Sequence, residues 1–358
     1  MNRDHGGNLA EISERYGFAP EEILDFSASI NPLGPPKRAW EAFQASFQEI
    51  GAYPDPECRA LRRKLAASLS RSPRQILIGN GSTELIFLIP RVLAPRSVLI
   101  FTPTYQDYEE AARSAHCSIQ YADLDPTPTV EGLGAMLSRA PSTGPAGADL
   151  VFICNPNNPT GNALSGTALA RLIRRHPKSL FVIDEAYADL AEEERFSLLT
   201  APLPENAIVL RSFTKVYRIP GLRLGFAVAS EQIIDRLEQF KEPWSVSGPA
   251  LKVGEALLEE TAFVAESRCY LRREREPLFE GLKGVAGLSP IRSETNFILV
   301  RLTGQRSAED LKAALIQKKI LIRSCHRFRG LGPDFFRVAV RKEEENRRLT
   351  QALKEVLQ

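Results

Sequence analysis

One lysine in the stretch RSFTKVYRIPGLRLGF is the first candidate for chemistry. Lys215 follows Ser212 by three residues and precedes Arg223 by eight, between two apolar runs that predict buried strands. In a water-poor crevice near other cations, an ammonium is destabilised and becomes a nucleophilic amine that can form a Schiff base. Ser212, Thr214 and Arg223 would suit a dianionic phosphate. The alternative is an ordinary exposed loop lysine.

Two more polar segments follow apolar runs. Asp184 ends the run LFVID, where a buried carboxylate needs a positive partner such as a protonated heterocyclic nitrogen. Tyr187, three residues after Asp184, lies on the same side as Asp184 if a helix begins after the apolar run. In NPNNPTGN, two prolines restrict the backbone, and an asparagine held in this way can donate a hydrogen bond to a ring oxygen. An Asp N-cap and a plain Asn-Pro turn are alternatives that need no ligand.

Two segments nearer the start of the chain have the same character. In NGSTELIF, Gly81 permits a tight turn, and Ser82 and Thr83 open a helix whose first amides could bind an anion. A simple helix cap is the alternative, and the third glycine of a dinucleotide fingerprint is absent. In TPTYQDY, Tyr105 could stack on a flat ligand or pack as a half-buried side chain.

All five segments follow short apolar runs separated by helical patterns. The runs are QILIG, SVLIF, DLVFIC, SLFVID, AIVLRS and LRLGFAVA. This alternation predicts an α/β domain with a largely parallel sheet, in which ligands bind beyond the carboxyl ends of the strands. The five segments would then meet around one ligand. A phosphate, a stacking ring, a phenolic oxygen, a protonatable nitrogen and an aldehyde together describe pyridoxal 5'-phosphate.

The composition is that of an ordinary globular protein. With 358 residues, 43% hydrophobic residues and a formal charge of +2, the chain predicts a large domain with a smaller companion and no nucleic-acid or membrane partner. Five cysteines without a CxxC pair predict reduced thiols. No signal peptide or membrane span is recognisable, so we expect a cytoplasmic protein. The four histidines lack metal-site spacing, so we expect no metal.

The motifs NPNNPTG, DEAY and SFTKVYRIPGLRLGF resemble those of the fold-type I pyridoxal-phosphate enzymes. The resemblance covers almost the whole chain and is to the aminotransferase class that includes the histidinol-phosphate aminotransferases. It implies an aminotransferase-like α/β fold, with a mostly parallel sheet in the large domain and a smaller α+β domain. The implied division is an N-terminal arm with part of the small domain over 1–44, a large cofactor-binding domain over 45–245, and a small C-terminal domain over 246–358.

The resemblance also implies roles for individual residues. Lys215 would carry the cofactor, Asp184 would face its ring nitrogen, and Tyr187 with Asn158 would contact its phenolic oxygen. Tyr105 would cover the ring. The residues implied for the phosphate region are Gly81, Ser82, Thr83, Ser212, Thr214 and Arg223. Tyr53 would reach the phosphate of the neighbouring subunit's cofactor, which implies a homodimer.

The ends of the chain are similar to a branch of this class that decarboxylates threonine phosphate for cobalamin biosynthesis. The similar segments are DHGGNLAEISERYGF and ILDFSASINPLGPP near the start, PWSVSGPA, and ILIRSCHRFRGLGPDFFRVAVR near the end. The resemblance implies conversion of L-threonine O-3-phosphate to (R)-1-aminopropan-2-yl phosphate. It assigns His5, Gly6, Asn31, Asn158, Arg323 and Arg337 to the substrate.

The C-terminal residues independently favour a site for anions. SAEDLKAALIQKK predicts a helix with a capping box, ILIR a short strand, FFRVAVR an alternating strand and EEENRRLTQALKEVLQ a closing helix. In the alternating strand Arg337 and Arg341 share the face opposite to the apolar one. Arg337 and Arg323 could bind the carboxylate and phosphate of an amino-acid phosphate ester. The alternative is a pair of surface salt bridges.

Three other functions fit parts of the sequence. A histidinol-phosphate-type aminotransferase would keep the cofactor but transfer the amine. A serine-phosphate decarboxylase giving ethanolamine phosphate would differ by one methyl group on the substrate. A ligand-sensing regulator that uses the same fold would need an added DNA-binding segment, for which the sequence has no spare basic region. Decarboxylation and amine transfer differ in which bond of the substrate α-carbon is turned out of the plane of the cofactor ring. The torsion angle that decides this depends on the three-dimensional site.

Overall fold

The computed structural model describes residues 6–124, 128–139 and 148–358. Its α-helices are α1 (Leu9–Tyr16), α2 (Lys37–Ser46), α3 (Arg59–Ser68), α4 (Gly81–Leu93), α5 (Asp107–Ser114), α6 (Val130–Arg139), α7 (Gly166–Arg175), α8 (Phe213–Val216), α9 (Glu231–Glu238), α10 (Gly248–Leu257), α11 (Thr261–Lys283), α12 (Ala308–Ile316) and α13 (Glu343–Leu357). Its strands are β1 (Leu24–Asp25), β2 (Ile76–Asn80), β3 (Ser97–Thr102), β4 (Ser118–Asp123), β5 (Leu150–Cys154), β6 (Leu180–Asp184), β7 (Ala207–Ser212), β8 (Leu224–Val228), β9 (Leu288–Pro290), β10 (Phe297–Leu302), β11 (Ile320–Leu321), β12 (Arg323–Ser324) and β13 (Phe335–Ala339).

A sheet of seven strands forms the centre of the described structure, in the order β2-β8-β7-β6-β5-β3-β4. Only β8 runs against its neighbours, since it is antiparallel to both β2 and β7, whereas the remaining pairs are parallel. The six apolar runs of the sequence form β2, β3 and β5 to β8, which confirms the predicted α/β class and mostly parallel sheet. The edge strand β4 escaped prediction because its residues are only partly buried.

Helices cover both faces of this sheet, which explains why its strands read as continuous apolar runs. In β5, Phe152 packs with α4, α5 and α9 on one face, whereas Val151 and Ile153 pack with α6 and α7 on the other. Both sets are almost completely buried. Side chains can therefore reach a ligand only from the ends of these strands.

A second sheet, of four antiparallel strands in the order β12-β13-β10-β9, is formed by the C-terminal part of the described chain. The predicted alternation of β13 is confirmed: Phe336 and Val338 are fully buried in a core shared with α11 and α13. Ser307 caps α12 by accepting a hydrogen bond from the Asp310 amide at 3.1 Å, as the capping-box pattern predicted. Strand β1 pairs in parallel with β11, which attaches the start of the chain to this part.

The long helix α11 joins the two sheets through ion pairs. Arg268 pairs with Glu194, and Arg275 pairs with Glu192, both of which lie in the segment that follows β6. These ion pairs attach α11 to the loop after β6, and residues of α11 and of both sheets share one apolar core. In the part of the chain that the structure covers, no helix combines the length and apolar character needed to cross a membrane.

Candidate active site

A cleft of about 580 Å³ lies between the carboxyl ends of the central strands and the C-terminal sheet. It is where the sequence predicted that the polar segments would meet. The predicted site residues that line it are Gly6, Ser82, Thr83, Tyr105, Asn158, Asp184, Tyr187, Ser212, Thr214, Lys215, Arg223, Arg323 and Arg337. The structure therefore brings together the five polar segments that follow the apolar runs, and adds Gly6, Arg323 and Arg337 from other parts of the chain.

Three of the described predicted residues do not line the cleft, and a fourth predicted residue, His5, lies outside the described part of the chain. Tyr53 is 84% exposed, with its ring 5.0 Å from that of Trp244. Gly81 lies beside the cleft at the start of α4. Asn31 does not line the cleft, and its side chain is engaged elsewhere, as described next.

Asn31 supports the backbone that carries Lys215. Its side-chain amide donates to the carbonyl oxygen of Val216 and to the hydroxyl of Ser267, each at 2.7 Å. Its own backbone amide donates to the carbonyl oxygen of Lys215 at 3.0 Å. In this arrangement the Asn31 side chain is a structural support behind α8, and it has no contact with the cleft that Lys215 faces.

The short helix α8 aims Lys215 into the cleft. Ser212 caps the helix, while Phe213 and Val216 are buried in the core behind it. The Lys215 ammonium lies 5.8 Å from the centre of the Tyr187 ring. Burial, and then the nearby cations of Arg337 and Arg223, lower the pKa of Lys215 to about 8. Lys215 is thus much closer to a neutral, nucleophilic amine than an exposed lysine is.

Asp184 presents a buried carboxylate at the end of β6. Its Oδ2 accepts a hydrogen bond from the Tyr108 hydroxyl at 2.7 Å, and its Oδ1 accepts one from the Ala186 amide at 3.0 Å. Burial raises the pKa of Asp184, which these hydrogen bonds and the Lys215 cation oppose. A cationic ligand atom at this carboxylate would restore its charge. Sequence reasoning missed Tyr108, which lies in the first turn of α5.

Tyr187 and Asn158 form the wall opposite Asp184. The Tyr187 ring packs edge-on against Phe297 at 5.0 Å, and burial raises the pKa of its hydroxyl to about 12. The Asn158 side-chain oxygen accepts a hydrogen bond from Arg337. Tyr187 therefore remains a neutral donor, and Arg337 determines the orientation of the Asn158 amide.

Donors for an anion gather at the start of α4. Gly81 has φ +74°, and a side chain there would lie 2.6 Å from the Arg223 guanidinium. The hydroxyls of Ser212 and Thr214 lie 2.6 Å apart. Arg223 donates to the carbonyl oxygen of Pro220 at 3.2 Å, and it has no carboxylate partner among the described residues. A glycine, two hydroxyls, an unneutralised guanidinium and a helix N-terminus suit a phosphate.

Two arginines from the C-terminal sheet complete the cleft. Arg323 and Arg337 are directly opposite one another on β12 and β13, and each is only 5% exposed. Two guanidinium groups side by side offer several N–H donors to an anionic ligand. Arg337 donates to the Ser27 carbonyl oxygen at 3.1 Å, and its buried Nε has no hydrogen-bond partner among the residues that the structure describes. Arg341 lies outside the cleft and donates to the Asp25 carbonyl oxygen at 2.8 Å.

These groups fit pyridoxal 5'-phosphate. Lys215 offers an amine for its aldehyde, Asp184 an anion for its ring nitrogen, and the start of α4 a binding place for its phosphate. Both buried charges have pKa values displaced in the direction expected of groups that await a partner. Within residues 6–124, 128–139 and 148–358, no group of three or more His, Cys, Asp or Glu side chains could hold a metal ion.

Comparison with known proteins places the chain in a family. Residues 21–353 match the model of aminotransferase class I and II, and the chain belongs to that family. It is 35% identical over 361 residues to threonine-phosphate decarboxylase of Salmonella typhimurium, covering 100% of this chain and 97% of that protein. It is 33% identical to the adenosylcobalamin biosynthesis bifunctional protein CobDQ of Leptospira interrogans, but spans only 41% of that protein's length against 99% of its own.

Solved structures give the same result. L-threonine-O-3-phosphate decarboxylase from Porphyromonas gingivalis superposes with a TM-score of 0.84 at 27% identity, over 94% of this chain and 99% of that one. Histidinol-phosphate aminotransferase from Clostridium acetobutylicum superposes with a TM-score of 0.85 at 28% identity, over 93% and 99%. The fold predicted from the motifs is confirmed, and the two enzyme types share it.

The electrostatics of Lys215 can be tested in the cofactor-free protein. Because a small amine-reactive reagent attacks only the neutral amine, we expect labelling of Lys215 to rise through a midpoint near pH 8. Arg337→Gln removes a neighbouring cation, so the midpoint should move to higher pH and labelling at pH 7 should slow. Peptide mass spectrometry would follow the modification of Lys215.

Arg341→Gln is the matched control, because this arginine lies on the same chain segment but does not line the cleft, and it donates to the Asp25 carbonyl oxygen and the Glu345 carboxylate. It should leave the midpoint unchanged. A Lys215 midpoint near that of an exposed lysine, or one insensitive to Arg337→Gln, would contradict the electrostatic description.

Proposed function

We propose that this protein is a pyridoxal-phosphate-dependent carboxy-lyase that removes the carboxyl group of L-threonine O-3-phosphate. The product would be (R)-1-aminopropan-2-yl phosphate, used in cobalamin biosynthesis. The observation that carries the proposal is the buried pair Arg323 and Arg337, directly opposite one another in the same cleft as Lys215. Full-length similarity to the Salmonella typhimurium threonine-phosphate decarboxylase supports it.

Pyridoxal 5'-phosphate is the cofactor. Lys215 would hold its aldehyde carbon, and Asp184 its ring nitrogen. Tyr187 and Asn158 would donate to the phenolic oxygen, while Tyr105 would cover the ring. The residues proposed for its phosphate are Gly81, Ser82, Thr83, Ser212, Thr214 and Arg223. When bound, the cofactor supplies a sink for the electron pair left at the substrate α-carbon as carbon dioxide departs.

The two arginines match a substrate with two anionic ends. A guanidinium offers a planar fork of N–H donors that fits carboxylate and phosphate oxygens. The unpartnered Nε of Arg337 is one donor that such a ligand could use. We propose that Arg323 and Arg337 hold the two ends of threonine phosphate, with Gly6 and Asn158 at the substrate and His5 contributing from the N-terminal arm.

Holding both ends would fix the rotation of the substrate about its amino-bearing carbon. Arg323 and Arg337 would thereby determine which bond of the α-carbon is aligned for cleavage, and the proposal requires that they favour loss of the carboxylate over loss of the hydrogen. Lys215, with its pKa lowered to about 8, can then deliver a proton to the α-carbon in place of the carboxylate. Phe328, which also lines the cleft, would help to exclude water.

A second candidate is an aminotransferase of the histidinol-phosphate type, which is favoured by the similar fold of the Clostridium acetobutylicum enzyme. It would use the same Lys215 and Asp184 but require a ketoacid to accept the amine. A third candidate, serine-phosphate decarboxylase, differs by one methyl group, which a pocket distinguishes by about 1–3 kcal/mol. Substrate comparison separates these candidates.

The decisive assay supplies the cofactor-loaded protein with L-threonine O-3-phosphate, with and without 2-oxoglutarate. We expect carbon dioxide release that does not depend on the ketoacid, and no glutamate. Lys215→Ala should reduce this release by at least about 1000-fold, because it removes both the cofactor anchor and the proton donor.

A comparison with L-serine O-phosphate in the same assay would rank the two decarboxylase candidates. Glutamate formation without carbon dioxide would refute the carboxy-lyase and favour the aminotransferase.

We also propose a homodimer with sites completed across the interface. Large apolar side chains are exposed on and after α2, including Phe47 at 71%. Trp40 and Phe43 stack on one another on α2 and are also exposed, so this helix carries an exposed apolar patch. The exposed rings of Tyr53 and Trp244 contact one another at 5.0 Å with a tilt of 40°, and Ile50 and Phe240 are the other large apolar side chains exposed among the described residues. A patch of this kind is typical of a protein interface, and Tyr53 would reach the partner's cofactor phosphate.

A hybrid dimer tests this sharing. Co-expressed, differently tagged Tyr53→Ala and Lys215→Ala subunits would form hybrids with one site that has both native residues. If Tyr53 acts across the interface, each hybrid should recover about half the activity of the native dimer, whereas either parent variant alone should be strongly impaired. A hybrid no more active than its parents, or a monomer in sedimentation, would contradict the proposal.

The division of the chain and its location complete the proposal. The pairing of β1 with β11 supports assigning residues 1–44 in part to the small domain together with 246–358, leaving 45–245 as the large domain. The five cysteines are all free in the structure, which supports a cytoplasmic location.

A further inference from the structure

Tyr108 contacts the site without lining it. Its side chain is completely buried on α5, and its hydroxyl donates to Asp184 Oδ2 at 2.7 Å. Among the described residues, the only other hydrogen bond to this carboxylate comes from the Ala186 amide, on the opposite oxygen. Tyr108 is therefore the one side-chain donor to the Asp184 carboxylate in the described part of the protein.

Packing fixes the direction of this hydroxyl. The Tyr108 ring stacks on Phe152 of β5, with centroids 4.8 Å apart and planes within 6°. Its edge meets the Tyr105 ring at 5.6 Å and 81°. Tyr105 in turn donates its hydroxyl to Asp107 at 2.7 Å. The residue proposed to cover the cofactor ring and the residue proposed to face its nitrogen are thus connected through Tyr108.

We propose that Tyr108 is a positioning residue that keeps Asp184 ionised and correctly oriented, so that the proton between Asp184 and the cofactor nitrogen stays on the nitrogen. This inference rests on the proposed function. A donor hydrogen bond stabilises the carboxylate relative to the carboxylic acid. It therefore favours the charged pair over the neutral pair, and only the protonated ring is a strong electron sink.

Among the groups around Asp184, Tyr108 contributes most to stabilising the ionised carboxylate. Burial raises the pKa of Asp184, and the charge of Asp107 acts in the same direction. Among the influences that lower this pKa, the hydrogen bond from Tyr108 is the largest, ahead of the Ala186 amide and the Lys215 cation. Cys154 beside them is neutral, because burial raises the pKa of its thiol to about 12.

The test measures the proton on the ring nitrogen directly, by ¹⁵N NMR of protein saturated with cofactor labelled at that nitrogen. In Tyr108→Phe we expect the signal to move toward the position of unprotonated pyridine. Loss of a hydrogen bond to a charged group corresponds to a change in the proton equilibrium of about tenfold or more. Fluorotyrosine at position 108 is a stronger donor of nearly the same shape and should move the signal the opposite way.

Tyr217→Phe is the control, since it removes a hydroxyl from another buried tyrosine that packs behind α8, away from Asp184. It should leave the ¹⁵N signal unchanged. Identical signals in the native, Tyr108→Phe and fluorotyrosine proteins would overturn the role of Tyr108 while leaving the proposed function intact. Failure of the native protein to bind the cofactor would instead overturn the proposed function itself.

Discussion

The structure depends on one electrostatic constraint: Lys215 lies half-buried in the cleft beside two further cations, Arg223 and Arg337. Separation from water already disfavours an ammonium, and like charges disfavour it further, so the pKa of Lys215 falls to about 8. Opposite it, burial disfavours the charge of Asp184. Burial therefore disfavours the charged form of both groups. A ligand that reacts with the amine, pairs with the carboxylate and brings anions to the arginines would offset these unfavourable energies together.

Each of the two sheets supplies a different part of the cleft in which these charges lie. The central sheet is packed by helices on both faces, so its reactive side chains can only be placed beyond the ends of its strands. The C-terminal sheet contributes Arg323 and Arg337 as cross-strand partners. A shared apolar core joins the two sheets, and ion pairs from α11 add contacts to the loop after β6. In the proposed function, a chemistry shared with aminotransferases is combined with a substrate-binding surface that a different part of the chain supplies.

Much of this arrangement could be predicted from the sequence, because its determinants are local. Apolar runs gave the strands, and each polar segment after a run, such as NPNNPTG or DEAY, was expected at the same edge. The opposition of Arg323 and Arg337 could not be predicted, since it depends on the register between two strands. The hydrogen bond from Tyr108 to Asp184 spans 76 residues, and that from Asn31 to Ser267 spans 236, so neither leaves a local pattern. Asn31 was accordingly expected at the substrate, whereas its side chain supports α8.

The most direct test of the central claim is to identify the lysine to which the cofactor is attached. The protein loaded with pyridoxal 5'-phosphate would be reduced with borohydride, digested and mapped by mass spectrometry. We expect the added cofactor mass on the peptide that contains Lys215, and no such mass in Lys215→Ala. Stoichiometric attachment to another lysine, for example the nearly buried Lys241, would contradict the assignment of this cleft as the active site.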